Sequence, residues 1–254
     1  MSAVPLRRGR RAVMMSAASA GLAAVLAGLT GCSSSDPVDP DKGTNGVGKL
    51  TPAEIQSRTR AAAGAATSVR LSGTILVKDE SYRLDMRLSE RGGTGSVRSK
   101  DSTFRLLKVE DQLYLKADSS FWTHEGDGAG PADRAAAEKL DGKYVKVPDD
   151  DPTYQRLSGF AAMDVLLDGL VTLHGTLEKG ERGSTGGTKS IRLTGDKGAG
   201  GTLDVSLEGR PFPLRLVRGG KAGTLSLTDW NAEFPLRKPE PSEVVDYGRG
   251  LPVT

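Results

Sequence analysis

The sequence predicts an α+β domain in which helices gather on one side of a long antiparallel sheet. Three observations carry this: helical periodicity in three segments, two-residue alternation in two long runs, and turn residues between the alternating stretches. Along the chain the order is helix, strand run, two helices, strand run.

The first helix is expected from Thr51 to about Ala66. Thr51 can cap the first amides, Pro52 suits the first helical position, and Glu54 completes a capping box. Ala61, Ala62, Ala63, Ala65 and Ala66 give this helix a slim face that can lie close against a sheet. The period then changes to two. Val69, Leu71, Gly73, Ile75 and Val77 alternate with Arg70, Ser72 and Thr74; Leu84, Met86 and Leu88 alternate with Arg83, Asp85 and Arg87. Such alternation marks strands with one buried and one wet face. Further strands are expected over residues 95–99, 103–110, 112–116 and 120–124. A short alanine-rich helix should follow over residues 131–140. A longer helix is expected over 152–170, capped by Asp151, with Tyr154, Leu157, Phe160, Ala161, Val165 and Leu170 on its apolar face. The last strands are expected over residues 171–177, 189–194, 201–208, 212–218 and 223–230. The glycine-rich stretches 183–187 and 198–201 join strand to strand, so they are expected as turns rather than phosphate cradles, which lead into helices.

The first 31 residues are set apart from this fold. Arg7, Arg8, Arg10 and Arg11 form a basic leader, and a small-residue apolar run from Ala12 to Leu29 follows. The run is short, interrupted by Ser16 and Ser19 and built mostly of Ala and Gly, which suits an export signal better than a membrane-spanning helix. It ends in Leu29-Thr30-Gly31-Cys32, which resembles the lipobox of bacterial lipoproteins. Cleavage is expected between Gly31 and Cys32, with lipid attached at the Cys32 thiol. Cys32 is the only cysteine of the chain, so no intramolecular disulfide competes for it. Two acyl chains suffice for stable anchoring where a single one does not. The expected place is the outer face of the cell membrane; the arginine pair leaves the export route open. From Ser33 to Lys49, serines, prolines and glycines suggest a disordered tether with a reach of roughly 20–25 Å. The folded domain is expected as one unit over residues 50–254.

Composition narrows the function classes. Removing the leader takes away four arginines and no acid, which moves the formal charge from +3 to −1. A near-neutral chain gives no argument for a nucleic-acid partner. Catalysis has little support. His124 and His174 lie far apart without a pairing motif, no serine stands in a Gly-x-Ser-x-Gly elbow, and Cys32 is committed to lipid. Asp149-Asp150-Asp151 lacks the spacing of a calcium loop and suits the start of a helix. No metal, redox or nucleotide cofactor is expected.

Several motifs in order carry a resemblance: Cys32 with its tether, the strand meander, Gly142-Lys143-Tyr144-Val145-Lys146-Val147, and Pro211-Phe212-Pro213-Leu214-Arg215-Leu216. The ending Leu225-Ser226-Leu227-Thr228-Asp229-Trp230, then Pro239, Pro241 and Val244-Val245-Asp246, completes it. Together they resemble the actinobacterial lipoproteins related to LppX and LprG, which share a fold with the carriers LolA and LolB. The resemblance implies a strongly curved antiparallel sheet, an incomplete barrel, with helices closing its concave side. It also implies a non-catalytic carrier or binder of a lipid, glycolipid or other hydrophobic ligand. Leu71, Ile75, Leu84, Met86, Phe104, Leu106, Leu157 and Phe160 are the first candidates to line such a site. The alternative is a surface interaction module whose apolar faces fill one another.

Overall fold

The fold comes from a computed structural model that describes residues 41–77, 80–100, 102–124 and 130–246. The leader, Gly31, Cys32 and the first residues of the tether lie outside the described residues. Residues from Asp39 onward fall in one compact unit.

Helix α1 (Pro52–Gly64) begins as its sequence requires. Thr51 Oγ1 accepts from the Glu54 amide at 3.4 Å, and Glu54 Oε2 accepts from the Thr51 amide at 2.9 Å. The Thr51 hydroxyl, which donates to Glu54 Oε2 at 2.7 Å, and then the Thr51 amide favour the ionised Glu54 and lower its pKa. The meander follows: β1 (Ser68–Val77), β2 (Glu80–Ser89), β3 (Gly92–Arg98), β4 (Thr103–Val109) and β5 (Gln112–Ala117). Helices α2 (Ser119–His124) and α3 (Pro131–Leu140), strand β6 (Tyr144–Val147), and helices α4 (Pro152–Ser158) and α5 (Met163–Val171) lead to the second run. That run comprises β7 (Leu177–Thr185), β8 (Thr188–Gly195), β9 (Thr202–Ser206), β10 (Pro213–Val217), β11 (Gly223–Thr228) and the short β12 (Val244–Val245).

Among the described residues these twelve strands form one sheet in the order β12-β6-β5-β4-β3-β2-β1-β11-β10-β9-β8-β7. Every pairing is antiparallel except β12 with β6. The two ends, β12 and β7, are not joined, so the strongly curved sheet is an incomplete barrel with helices over its concave face. This is the α+β architecture expected from the sequence. Curvature follows from strand twist accumulated over many neighbours, and the alternating pattern decides which face turns inward. Leu84, Met86 and Leu88 are buried, whereas Arg83, Asp85 and Arg87 are exposed.

On β3, inward-facing glycines let neighbours close over the strand. A Cβ at Gly93 would stand 2.6 Å from Leu88 Cδ2 and 3.1 Å from the Ala161 carbonyl oxygen. One at Gly95 would stand 2.5 Å from Met86 Sδ. The missing side chains allow the 3-10 turn Gly159–Ala161 to lie directly on β3 and β4.

Four expectations are corrected. Residues 119–124 form a helix rather than a strand, because Asp118 Oδ1 accepts from the Phe121 amide at 3.1 Å and starts a helical turn. The single helix expected over 152–170 is broken. Its α4 part is capped by Asp151, which accepts from the Thr153 amide at 2.7 Å, but Ala162 is extended (φ −105°, ψ 111°) before α5 begins. The break turns Val165 to solvent, 60% exposed, although its spacing placed it on the apolar face. The strand expected over 171–177 is displaced: Val171 ends α5, and β7 runs from Leu177 with almost every residue exposed. Such a strand carries no apolar alternation to detect. Its charges and the irregular register between Lys179 and Arg182 suit an edge.

The tether is the fourth correction. Residues 41–49 are docked on the second strand run, not free as far as Lys49. The Asn45 amide donates to Leu207 O at 2.8 Å, and Asn45 Nδ2 donates to Ser206 O at 3.0 Å. Arg182 pairs with Asp41 at 2.8 Å, Lys179 Nζ donates to Gly48 O at 3.1 Å, and Val47 is buried. A polar segment can thus be fixed through its backbone, with little apolar surface of its own.

The chain beyond β11 forms a strap across the convex face. Trp230 stacks on Phe212 with centroids 4.7 Å apart and donates to Pro213 O at 3.1 Å. Leu236 then packs on the outward-facing Leu107 and Tyr114, and β12 pairs beside β6. Lys146 closes the strap on Asp246 at 3.0 Å.

Candidate functional site

The site is assembled from the helices over the concave face. α1 buries Ile55, Thr59 and Ala63, and the buried Thr59 hydroxyl is satisfied by Ile55 O at 2.8 Å. α5 buries Met163, Leu167 and Val171, one residue per turn, which sets a single apolar stripe toward the core. Because α1 presents small side chains, the two helices leave a groove of about 670 Å³ between them. Its floor is Ala63, Ala66, Met163, Leu167 and Val171, all members of the main core cluster. Gln56, Ser57, Glu90 and Asp164 bring polar atoms to its walls. Arg60 reaches Asp168 at 3.0 Å and straps α1 to α5 beside this groove, with both side chains largely in solvent. The Leu173 amide donates to Gln56 Oε1 at 3.0 Å and fixes the far end of α5 on α1.

Six of the eight residues named from the sequence come together on the inner face. Leu71 and Met86 stand opposite each other, Met86 faces Gly95, and Gly95 faces Leu106, forming one row across four strands. Leu84 and Phe104 flank Val97 in the next row, and Ile75 lies beside Tyr82. All six are buried, and Leu157 and Phe160 pack, partly exposed, against the same core cluster. None of the eight lines the α1–α5 groove, whose floor the sequence reading missed. The available signal was the stripe Met163, Leu167, Val171 facing the alanine run.

A second feature lies on the inner face by Phe104. The Phe121 ring sits 5.4 Å from Phe104 and 5.0 Å from Trp122. Trp122 is 3% exposed, and its buried indole N–H has no acceptor among the described residues. Leaving such a donor unsatisfied costs about 1–3 kcal/mol. At the α4 end, burial raises the Tyr154 pKa first, with Asp111 and Asp149 adding to it; its hydroxyl donates to Asp111 O at 3.0 Å.

His174 is exposed in the loop after α5, and the His124 side chain lies outside the described residues. Among the described residues no three His, Cys, Asp or Glu side chains converge as a metal site requires. No described helix is long and apolar enough to cross a membrane.

A curved, unclosed antiparallel sheet with helices over an apolar concave face defines the LppX/LprG-like fold class. The particular likeness is to LprF from Mycobacterium bovis: TM-score 0.50 at 14% identity, covering 74% of this chain and 96% of that one. The lipoprotein LppX from Mycobacterium tuberculosis aligns with TM-score 0.44 at 14% identity, over 74% of this chain and all of that one. No protein-family model and no curated protein sequence matches the chain. At these identities the likeness to LprF establishes the fold.

Proposed function

We propose that the chain is a membrane-anchored extracytoplasmic lipoprotein that binds a lipid or other hydrophobic ligand without catalysis. The anchor is the lipid on Cys32, after cleavage behind Gly31. One observation carries the binding reading: the α1–α5 groove has the size of a ligand site, and its apolar floor is continuous with the inner face of the sheet. An amphipathic ligand would lay its apolar part on Ala63, Met163 and Leu167 and keep its polar end among Arg60, Gln56 and Asp168.

A second reading rests on a different observation. Leu71, Leu84, Met86 and Leu106 are no more than 2% exposed, so the inner face is filled by its own side chains. On that reading the domain is an interaction module that works through its surface.

The test is organic extraction of the mature chain, purified with Cys32→Ser, followed by mass spectrometry beside an Ala63→Trp variant that fills the groove. The ligand reading predicts a co-purified lipid in the parent that is lost from the variant. Equal traces in both, or none in either, favour the filled module. Separately, Cys32→Ala in the full precursor should release the chain from the membrane or leave it uncut; a chain that is correctly cut and still held at high salt would overturn the anchor.

A further inference from the structure

The convex face of β2–β5 carries charge in an arrangement that sheet stability does not explain. Its outward-facing strand positions hold Arg83, Arg87, Arg98, Arg105 and Lys116, against one strand acid, Asp85. The chain after β11 brings Asp229 and Glu233 beside Arg70 and Arg87, which leaves the excess of cations at Arg83, Arg98 and Arg105. Asp85 is already engaged, because Arg70 on β1 donates to both its oxygens at 3.0 and 2.9 Å. Two like-charged pairs stand directly opposite each other: Arg83 with Arg98, and Arg105 with Lys116. Directly opposed like charges destabilise a sheet. Arg83, Arg87 and Arg105 make no hydrogen bond or ion pair among the described residues. Arg98 has the Thr103 hydroxyl at 3.2 Å, and Lys116 lies 4.8 Å over the Tyr144 ring. Elsewhere on the same convex face, Asp204 stands between Arg192 and Arg215 in register and binds Arg192 at 2.7 Å. The chain therefore neutralises cations in one limb of the sheet and concentrates them in the other, although its charge without the leader is −1.

We infer that this face docks on the headgroups of an anionic phospholipid bilayer. Charge complementarity selects the occupant, and the position of the face supports it. The hollow at Arg70 and Arg87 is small and shared with Asp229 and Glu233, which disfavour a lone anion, whereas the exposed Arg83, Arg98 and Arg105 beside the strap can approach an extended anionic plane along the crest of the sheet. Electrostatic attraction acts across roughly 8 Å of physiological saline, so the flanks of the crest contribute as well. Proximity rests on the Cys32 anchor of the proposed function. Asp41 is already fixed to the domain, and nine residue steps from Cys32 span at most about 30 Å. The domain is thereby held at high effective concentration beside the surface it would contact. Docking by the convex face directs the helical side, with the α1–α5 groove, away from the bilayer and toward the envelope. The anchor sets the distance and the basic face sets the orientation.

The experiment is vesicle flotation of the mature chain carrying Cys32→Ser, which removes the acyl anchor. Vesicles of phosphatidylcholine alone are compared with vesicles containing phosphatidylglycerol, at low and at physiological salt. The expected result is binding only to the anionic vesicles, weakened by salt. Each cation near such a surface multiplies partitioning about fivefold. Arg98→Glu with Arg105→Glu should therefore lower it more than ~10-fold. Arg58→Glu with Lys139→Glu, an equal charge change on exposed helical positions, should lower it far less. Thermal melts check that each variant is folded; if the double reversal is not, Arg83→Gln with Arg105→Gln takes its place. An equal loss in the helical control would overturn the inference, because net charge alone would then explain binding. Binding to a soluble polyanion but not to anionic vesicles would overturn it in favour of a polymer partner. The measurement does not depend on the groove being loaded, so a failed lipid extraction and a failed flotation are separate results.

Discussion

The two limbs of the sheet share an inner face and differ on the outer one. In the limb formed by β8, β9 and β10, Leu193, Leu203 and Leu216 point inward, and outside them Arg192 meets a buried Asp204. In the limb formed by β2 to β5, Leu84, Met86, Leu106 and Leu115 point inward just as completely. Outside them, however, arginine faces arginine and arginine faces lysine. Inner faces must be alike because burial of apolar area drives folding in both limbs. Outer faces are free to differ, and only one of them is arranged as stability alone would arrange it. That contrast separates what holds the fold together from what the fold displays.

The largest expected effect tests whether the inner faces are equivalent. Met86→Ala and Leu203→Ala each remove a fully buried side chain and should each cost about 2–5 kcal/mol in urea unfolding. Met86 also fills the space above Gly95, where no other side chain stands on that strand. A much smaller loss at Met86 would show that the β2–β5 limb relaxes more easily than its partner, as a ligand-admitting face should. Next comes the outer face of the other limb. Asp204→Ala removes the acceptor of both Arg192 and Thr185 from a buried position and should cost about 1–3 kcal/mol. An unchanged midpoint there would remove the structural half of the comparison.

How far the sequence foretold these limbs follows from which residues had to be buried. Val69, Leu71, Leu84, Met86 and Leu88 alternate because one face of their strands is sealed, so β1 and β2 were legible at once. β7 was not, since exposure of nearly its whole length leaves no alternation to detect. Residues 119–124 are too few to show a helical period, and their start depends on one side chain, Asp118. The docking of residues 41–49 depends on Arg182, about 140 positions away, and no local pattern carries such a contact. The groove was illegible for the same reason. It needs α1 and α5, whose contact pair Arg60 and Asp168 are 108 residues apart, and a helix break at Ala162 that periodicity does not signal. The apolar residues of the inner face could be named; the gap between two helices above them could not.

Two smaller effects sharpen the comparison by their sign. Trp122→Phe removes a buried donor that has no acceptor among the described residues and keeps an aromatic contact with Phe121, so the ligand-free protein should gain up to about 1 kcal/mol. A loss of that size would mean that the packing of the larger ring outweighs the unmet donor. Arg105→Glu turns the like pair with Lys116 into an opposite pair and should stabilise the sheet by about 0.2–1 kcal/mol. The same substitution should weaken flotation with anionic vesicles. Stability gained and binding lost from one change would show that the basic face is maintained against the interest of the fold.

The smallest effect concerns Asp85, the one acid at an outward strand position of β2 to β5. The hydrogen bonds from Arg70 lower the Asp85 pKa, against a smaller opposing effect of burial. A carboxyl whose folded pKa is depressed contributes stability above its unfolded value, near 3.9, and loses it as pH falls through the folded value. The wild type should therefore exceed Asp85→Asn in stability at neutral pH, and the difference should shrink as the pH falls below about 3.9. Because Asp85 is 48% exposed, solvent screening limits that difference to less than about 1 kcal/mol. Urea midpoints of the two proteins across the acid range measure it directly. In flotation at neutral pH the same variant should bind anionic vesicles more tightly than wild type, since Arg70 is released and one repelling charge is gone. If binding were unchanged while stability fell, Asp85 would belong with Asp204 as a structural acid, and the basic crest would begin only at Arg98.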